Sequence, residues 1–283
     1  MAHATQPLTI RVISQIVLAM SAFAANSLLC RVALTQTATD PASFTIIRML
    51  AGAGTLSLIV LLRERKPGNN GSWPGALSLL VYAAAFSFAY VKLSAGTGAL
   101  LLFGSVQATM VLTGLYQGEH LRIIQWVGLL AAFCGLVVLV APGIHAPDPY
   151  SAALMVIAGM AWGSYSLLGR KQSDPLKATA GNFLKAAPFS LLLLPFADSV
   201  DSQGIIFAVL SGGVSSGVGY AIWYSILPSL KAAPAASVQL TVPIIASTAA
   251  IFILGEHLTF SLVIASIAIL GGIALVISGR NRH

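Results

Sequence analysis

Charged side chains are scarce in this sequence. Only 8% of its 283 residues are Asp, Glu, Lys or Arg, whereas 57% are hydrophobic and the mean hydropathy is +0.88. A soluble domain carries roughly a quarter charged residues. The longest plainly hydrophilic stretch, residues 63–72, is too short to fold into a separate catalytic or nucleic-acid-binding domain. The composition therefore excludes a soluble protein and predicts a chain that works inside a lipid bilayer.

Titratable and metal-binding side chains are rare where buried chemistry would need them. Cys30 and Cys134 lie in apolar segments without metal-ligand spacing, which predicts a buried packing role for both. All eight acidic residues and all five histidines fall in loops or at helix ends. A proton-coupled pump generally needs such a group in its path. Facilitated, gradient-driven movement is therefore the simpler hypothesis, and no metal or cofactor is expected.

Long apolar runs, by contrast, fill most of the chain. A helix needs about 20 mostly apolar residues to cross the hydrocarbon core, and apolar segments recur between polar or Gly/Pro breaks. The predicted spans are 11–34, 42–62, 73–92, 97–116, 122–141, 150–170, 178–197, 204–227, 233–254 and 259–279. The predicted fold is an all-α integral membrane protein with ten transmembrane helices and the lipid bilayer as its partner.

Basic residues concentrate on one side of these spans. With a cytoplasmic N-terminus, the segments on that side carry Arg11, Arg63, Arg65, Lys66, Arg122, Arg170, Lys171, Lys177, Lys231, Arg280 and Arg282. The opposite side carries only Arg31 and Lys92. Because Lys and Arg are retained on the cytoplasmic side, we expect a multi-pass protein of the inner (plasma) membrane with both termini cytoplasmic. This orientation accounts for the net charge of +7, and nucleic acid is not an expected partner.

An internal repeat divides the chain into two halves, residues 1–141 and 150–283. The sequence Gly-Glu-His-Leu occurs at residues 118–121 and again at 255–258, and each copy precedes an apolar span with a matching glycine, Gly135 or Gly272. Five helices per half is an odd number, so the second half must enter the membrane from the opposite side. Inverted halves can open a cavity between them to each side in turn, which favours transport over a duplication that merely makes a stable bundle.

Two basic residues, Arg48 and Lys185, lie within spans at equivalent positions of the halves. Each is about two turns from a helix end, and long basic side chains reach the interface from such depths. We expect Arg48 to do so. For Lys185 two interpretations stay open: its ammonium meets a substrate carboxylate, or it binds carbonyl groups at a helix end.

Aromatic side chains recur at helical spacing. The groups are Tyr82, Phe86 and Tyr90 on the third span, Trp162 with Ser166 on the sixth, and Tyr220, Trp223 and Tyr224 on the eighth. Rings that face a cavity would suit an apolar or aromatic solute, whereas Trp73, Trp126 and Tyr116 fit the interfacial belt.

Uncharged polar and small residues also lie within the spans. Asn26, Gln107 and Gln239 either contact a substrate or tie helices together. The glycine pairs Gly159/Gly163 and Gly213/Gly217 fit the spacing for close helix packing.

Ten spans in two halves, each closing with Gly-Glu ahead of a glycine-containing apolar helix, resemble the EamA-type members of the drug/metabolite transporter superfamily. Gly118, Glu119, Gly255 and Glu256 carry this resemblance; physically they suggest a helix C-cap followed by an acid near the next N-terminus. Residues 26–31 are similar to the YddG-type amino-acid exporters. The resemblance implies export of aromatic and other apolar amino acids through a central cavity, lined mainly by helices three, four, eight and nine with one and six.

The predicted function is export of amino acids by alternating access. The candidate substrate-binding residues are Asn26, Tyr82, Tyr90, Gln107, Trp162, Lys185, Trp223 and Gln239. Another small metabolite, such as a nucleoside or a sugar phosphate, is the alternative, although a phosphate would call for more basic residues than Arg48 and Lys185. An intramembrane enzyme is disfavoured because the spans contain no histidine or carboxylate. The sequence is compatible with a monomer.

Overall fold

The computed structural model describes residues 10–64, 70–118, 120–140, 146–169, 172–227 and 238–279. Within these ranges the chain forms ten helices and no β-strand. They are α1 (Ile10–Gln36), α2 (Pro41–Glu64), α3 (Trp73–Ala89), α4 (Ala95–Tyr116), α5 (Ile123–Val140), α6 (Pro149–Gly169), α7 (Pro175–Ser190), α8 (Ser202–Ile226), α9 (Thr241–Leu254) and α10 (Phe260–Gly279). Seven are long and apolar enough to cross a membrane, and α3, α7 and α9 are shorter. A 3₁₀-helix, Leu191–Phe196, continues α7.

The outer surface of the bundle is apolar. Phe133 on α5 and Phe252 on α9 have 63% and 83% of their surface exposed, whereas Asn26, Arg48 and Gln107 are buried. In a water-soluble protein, by contrast, phenylalanine is mostly buried, and asparagine, arginine and glutamine are mostly exposed. With its apolar helices, this arrangement identifies a multi-pass membrane protein. Cys134 also lies on the outward surface, so the predicted burial of both cysteines is wrong for this one; its span is apolar all round and gave no sign of which face packs.

Acidic residues begin several helices. Asp40 accepts hydrogen bonds from the amides of Ala42 and Ser43 at the start of α2, and Asp201 accepts one from Gly204 at the start of α8. Carboxylates favour this position because the first amides of a helix have no intrahelical partner. Such capping explains why the acids lie at helix ends.

Small residues set the helix packing, as their spacing predicted. A Cβ added to Gly159 or Gly163 of α6 would lie within 3.1 Å of the backbone of α4, at Leu102 and Val106 respectively. Gly213 and Gly217 of α8 both lie against Thr55 of α2. The close-packing prediction is confirmed for both pairs.

Helix α8 is not uniform. Its middle, Leu210–Val218, is π-helix, between the α-helical segments Ser202–Val209 and Gly219–Ile226. The wider π turns are uncommon and recur at functional sites. Here they carry Ser211 and Gly212 toward α1 and α2.

The Gly-Glu motif is described in full only in the second half. Gly255 has a φ of 64° and ends α9 in the left-handed conformation, so the predicted C-cap is confirmed. Gly118 has a φ of 87°. Several residues of the sequence analysis lie outside the described ranges: Glu119, Arg65, Lys66, Arg170, Lys171, Lys231, Arg280 and Arg282.

Candidate functional site

Asn26 joins four helices near the centre of the bundle. Its Oδ1 accepts hydrogen bonds from Arg48 Nη2 at 3.2 Å and from Ser211 Oγ at 2.6 Å, and its Nδ2 donates to Tyr82 Oη at 3.3 Å. These partners come from α2, α8 and α3. We call these four residues the Asn26 network. A buried amide with this many partners holds the helices in one register.

Arg48 points into the bundle and not toward the membrane surface. Only 3% of its surface is exposed, and its guanidinium carbon lies 5.0 Å from the ring centroid of Phe86 and 5.9 Å from that of Tyr82. The expected snorkelling of Arg48 is therefore wrong, because α2 turns this face toward α1 and α3. Arg48 Nη1 has no hydrogen-bond partner among the described residues.

A cluster of rings adjoins this network. Trp162 stacks on Tyr220, with centroids 5.4 Å apart and planes inclined by 18°, and on Tyr165 at 5.3 Å and 25°. The centroid of Tyr82 lies 4.9 Å from that of Trp162. The aromatic cluster, as we use the term, consists of Phe23, Tyr82, Phe86, Trp162, Tyr165 and Tyr220. It draws on α1, α3, α6 and α8, so rings from both halves of the sequence meet here.

The structure brings four of the predicted substrate-binding residues together. Asn26, Tyr82 and Trp162 are in this centre, and Trp223 joins it through Phe23, at 6.3 Å between centroids. Tyr90 adjoins the centre through Phe86 at 4.7 Å, but its hydroxyl donates to the carbonyl of Ala95 at 3.3 Å.

The three other predicted residues lie elsewhere. Lys185 Nζ donates to the carbonyl of Gly71 and lies 5.8 Å from the ring centroid of Trp73, so the carbonyl-binding interpretation is the one observed. Gln107 is buried on α4, and Gln239 is partly buried just ahead of α9. Substrate contact by either glutamine stays a prediction.

A second polar assembly lies at the end of the bundle where α3 ends and α4 begins. Both carboxylate oxygens of Glu256 accept from the amide of Ala95, the first residue of α4, at 2.9 and 3.0 Å. Arg31 Nε lies 3.7 Å from Glu256, and Arg31 Nη1 donates to the carbonyls of Tyr90 and Val91, each at 2.8 Å. The acid of the Gly-Glu motif therefore caps α4, whereas the motif suggested the next helix in sequence.

A cavity of about 360 Å³ adjoins this assembly. It is lined in part by Lys92, Ser94, Asp148, Glu256 and His257. Lys92 Nζ donates to Asp148 Oδ1 at 2.9 Å. This hydrogen bond, with those from the amide and hydroxyl of Ser151, lowers the pKa of Asp148 to about 2.

Comparison with known proteins identifies the family. The profile of the EamA-like transporter family matches residues 10–141 and, separately, residues 150–278. The chain belongs to the EamA-like transporter family. It is therefore a membrane transporter, as the resemblance in sequence implied.

Relatives of this EamA-like transporter span most of its length. An uncharacterized protein of Pseudomonas aeruginosa is 52% identical over 269 residues, which is 93% of each chain. A probable amino-acid metabolite efflux pump of Salmonella typhimurium is 26% identical over 69% of this chain and 72% of its own. A crystal structure with 19% identity superposes on 96% of this chain and 99% of its own with a TM-score of 0.67, which shows a shared fold.

Sequence reasoning missed six residues of this EamA-like transporter's centre. The predicted substrate-binding residues did not include Phe23, Arg48, Phe86, Tyr165, Ser211 or Tyr220, although Phe86 was grouped with Tyr82 and Tyr220 with Trp223. Trp162 was paired with Ser166, whose hydroxyl in fact donates to the backbone carbonyl of Trp162; the ring of Tyr165, three residues along, is the side chain that stacks on it. Side chains three and four residues apart both lie close together on a helix. Spacing therefore could not choose between residues 165 and 166, and the aromatic side chain of Tyr165 was the only feature that indicated stacking on Trp162.

Proposed function

We propose that this EamA-like transporter exports amino acids, aromatic and other apolar ones preferentially, and resembles the YddG-type exporters in substrate. The observation that carries the proposal is the contact between the Asn26 network and the aromatic cluster. An aromatic amino acid combines a charged carboxylate and ammonium with an apolar ring. Arg48 and Asn26 supply a cation and hydrogen-bonding groups, and Trp162 and Tyr220 supply rings with which a substrate side chain can stack.

Alternating access is the mechanism we infer, with the ten helices forming two inverted five-helix repeats. Two observations support it. The family profile matches the chain twice. When Gly135 is aligned with its counterpart Gly272, the same alignment pairs Gly128 with Ala265. Gly135 packs against Ala265, and Gly272 packs against Gly128. The two contacts are therefore equivalent under the repeat. Such reciprocity is expected of two halves related by a twofold axis in the membrane plane.

The proposed orientation follows the charges at the two ends of the bundle. Four acidic residues lie at helix ends on one side of the bundle: Asp40, Asp148, Asp201 and Glu256. On this side the amides of Asp198 and Ser199 donate to Asp40 Oδ2, at 3.1 and 3.0 Å, and these hydrogen bonds join the loops after α1 and α7. Arg63, Arg122 and Lys177 lie at helix ends on the other side. Because basic residues are retained in the cytoplasm, we assign this second side and both termini to the cytoplasmic face of the inner membrane.

Transport is proposed to proceed without ion coupling. Within the described part of the chain, the Asn26 network and the aromatic cluster contain no carboxylate and no histidine. A proton-driven cycle would need a group there that gains and loses a proton at physiological pH. A relative described as a probable amino-acid metabolite efflux pump supports amino acids as the substrate class.

Flux measurements in proteoliposomes test the proposal. Purified protein is reconstituted, and the movement of labelled phenylalanine, methionine, leucine and glutamate is followed with and without an imposed pH gradient, with protein-free liposomes as the control. We expect saturable phenylalanine and methionine flux that is indifferent to the gradient. Flux that appears only with a gradient would overturn the uncoupled mechanism, and absence of flux for every amino acid would overturn the substrate class.

A further inference from the structure

The guanidinium of Arg48 is a buried charge with no counter-charge among the described residues. Its Nη2 donates to Asn26, while Nη1 has no hydrogen-bond partner there. The carboxylate–cation contacts of the described chain involve Arg31, Lys92 and Lys177, and none involves Arg48. A buried cation of this kind is costly at membrane depth and is associated with function.

The part of the chain that the structure describes offers no anion from within a span. Every acidic residue in that part lies in a loop or at a helix end. Asp40 precedes Arg48 by eight residues, about 12 Å along the axis of α2, and its carboxylate accepts from Ser43 and from the amides of Ser199 and Asp198. The rings of Phe44, Tyr82 and Phe86 stabilise the cation through their faces, but they do not accept the N–H bonds of Nη1.

We propose that Arg48 Nη1 binds the carboxylate of the transported substrate, so that the transporter selects monocarboxylates that carry an apolar or aromatic side chain. The inference rests on the proposed function and names the substrate group that the site recognises. A carboxylate at Nη1 would satisfy the unpaired donor and neutralise the charge in a single charge-assisted contact. Substrate would reach it when the helices around the Asn26 network part, because Arg48 is buried in the present arrangement.

The single cation also sets the charge of the ligand. One guanidinium balances one negative charge, whereas a phosphate monoester brings about two at neutral pH and would leave the centre negative. Asn26 Oδ1 accepts hydrogen bonds from Arg48 Nη2 and from Ser211 Oγ, and the first of these holds the guanidinium in place. The site therefore favours an amino acid over a sugar phosphate.

A ligand series on the unaltered protein is the first test. Phenylalanine, 3-phenylpropionate, phenylalaninamide and phenethylamine share the phenyl group, and only the first two carry a carboxylate. Their binding is measured by the rise in melting temperature of the purified protein, and their transport by competition with labelled phenylalanine. We expect the carboxylates to bind about 10- to 100-fold more tightly than the other two, the range for one charged hydrogen bond.

Substitution of Arg48 is the second test. In Arg48→Gln the preference for carboxylates should fall to within about threefold, and in Arg48→Lys it should be intermediate, because an ammonium keeps the charge and loses the planar fork. Arg63→Gln is the matched control: it removes an exposed guanidinium from the same helix and should leave the preference unchanged.

The outcomes separate this inference from the proposed function. If the unaltered protein moves phenylalanine but accepts phenylalaninamide and phenethylamine equally well, amino-acid transport stands and the role of Arg48 is overturned. That role is overturned as well if Arg48→Gln, or Arg48→Lys where the glutamine variant does not fold, keeps the full preference. If the unaltered protein neither binds nor moves any of the four ligands, the proposed function itself fails.

Discussion

Gly128 of α5 and Gly272 of α10 lie so close together that a Cβ on either one would overlap the carbonyl oxygen of the other. Helices in a bilayer associate without a hydrophobic driving force between them, so close backbone approach and van der Waals contact carry the packing. Ala132 adds to the same seam, because its backbone also lies against Gly272. The pairing of α5 with α10 therefore depends on the absence of side chains at these two positions.

Replacing one glycine of this pair should destabilise the protein. Gly272→Ala inserts a methyl group into backbone, and we expect a loss of about 1–3 kcal/mol. Its neighbour Gly271 has nothing within 4 Å of an added Cβ, so Gly271→Ala should be neutral or stabilising by up to about 1 kcal/mol through helix propensity. The melting temperatures of the two variants are compared in the same detergent, and that of Gly272→Ala should be the lower. Equal values would contradict the close packing at Gly272.

The stacked rings around Trp162 should determine affinity for aromatic substrates. Trp162→Leu removes a ring of the aromatic cluster with which the phenyl group of the substrate is proposed to stack, and one such contact contributes about 0.5–1.5 kcal/mol beyond burial. We expect the half-saturation concentration for phenylalanine to rise about 10-fold and that for leucine to rise less. Trp126→Leu, at a ring on α5 with 44% of its surface exposed, is the control. An equal effect of both substitutions would refute a specific role for Trp162.

Lys185 should contribute to stability and not to selectivity. Its Nζ holds the carbonyl of Gly71 ahead of α3, and loss of a charged hydrogen bond costs about 1.5–3 kcal/mol. Lys185→Gln should lower the melting temperature and leave the ratio of phenylalanine to phenylalaninamide affinity as it is. A change in that ratio would show that Lys185 meets the substrate carboxylate after all.

Asp148 should make part of the stability depend on pH. Because the pKa of its carboxyl is lowered to about 2 by Lys92 and Ser151, the folded state favours the ionised form. That contribution is present above the ordinary carboxyl pKa of about 4 and is lost as the pH falls through about 2. The difference in melting temperature between the unaltered protein and Asp148→Asn should be constant above pH 5 and should shrink below pH 4. A difference that does not vary with pH would argue against the Lys92–Asp148 contact.

Much of the fold could be predicted from local sequence. Apolar runs bounded by capping residues such as Ser72, Ser94 and Asp174 gave helices close to the predicted spans, because caps and hydrophobicity act over a few neighbouring residues. The π-helical segment of α8 could not be foreseen in this way. It is held by contacts with α1 and α2, such as Ser211 Oγ with Asn26 Oδ1, which residues distant in sequence supply.

The candidate site was only partly predictable for a similar reason. The spacing of Tyr82 and Phe86 correctly indicated rings in contact, at 5.3 Å between centroids. The depth of Arg48 along α2 predicted snorkelling, but the direction of the side chain around the helix decides whether a basic group reaches the interface. That direction follows from how α2 packs, which its own sequence does not reveal. Glu256 likewise finds its partner amide at Ala95, in the other half of the chain.

Within the inverted repeat that we propose, the π-helical segment makes the two halves unequal. Helix α3, which corresponds to α8 by the repeat, is α-helical throughout Trp73–Ala89, whereas α8 has wider turns over Leu210–Val218. A carrier with unlike halves has two faces that are not interchangeable, so its apparent affinity for the proposed substrate phenylalanine at one face can differ from that at the opposite face. Under the uncoupled mechanism that we propose, net flux must vanish at equal concentrations. The maximal rate divided by the half-saturation concentration must then be the same in both directions, and any preference for export must come from the cell's own concentration gradient.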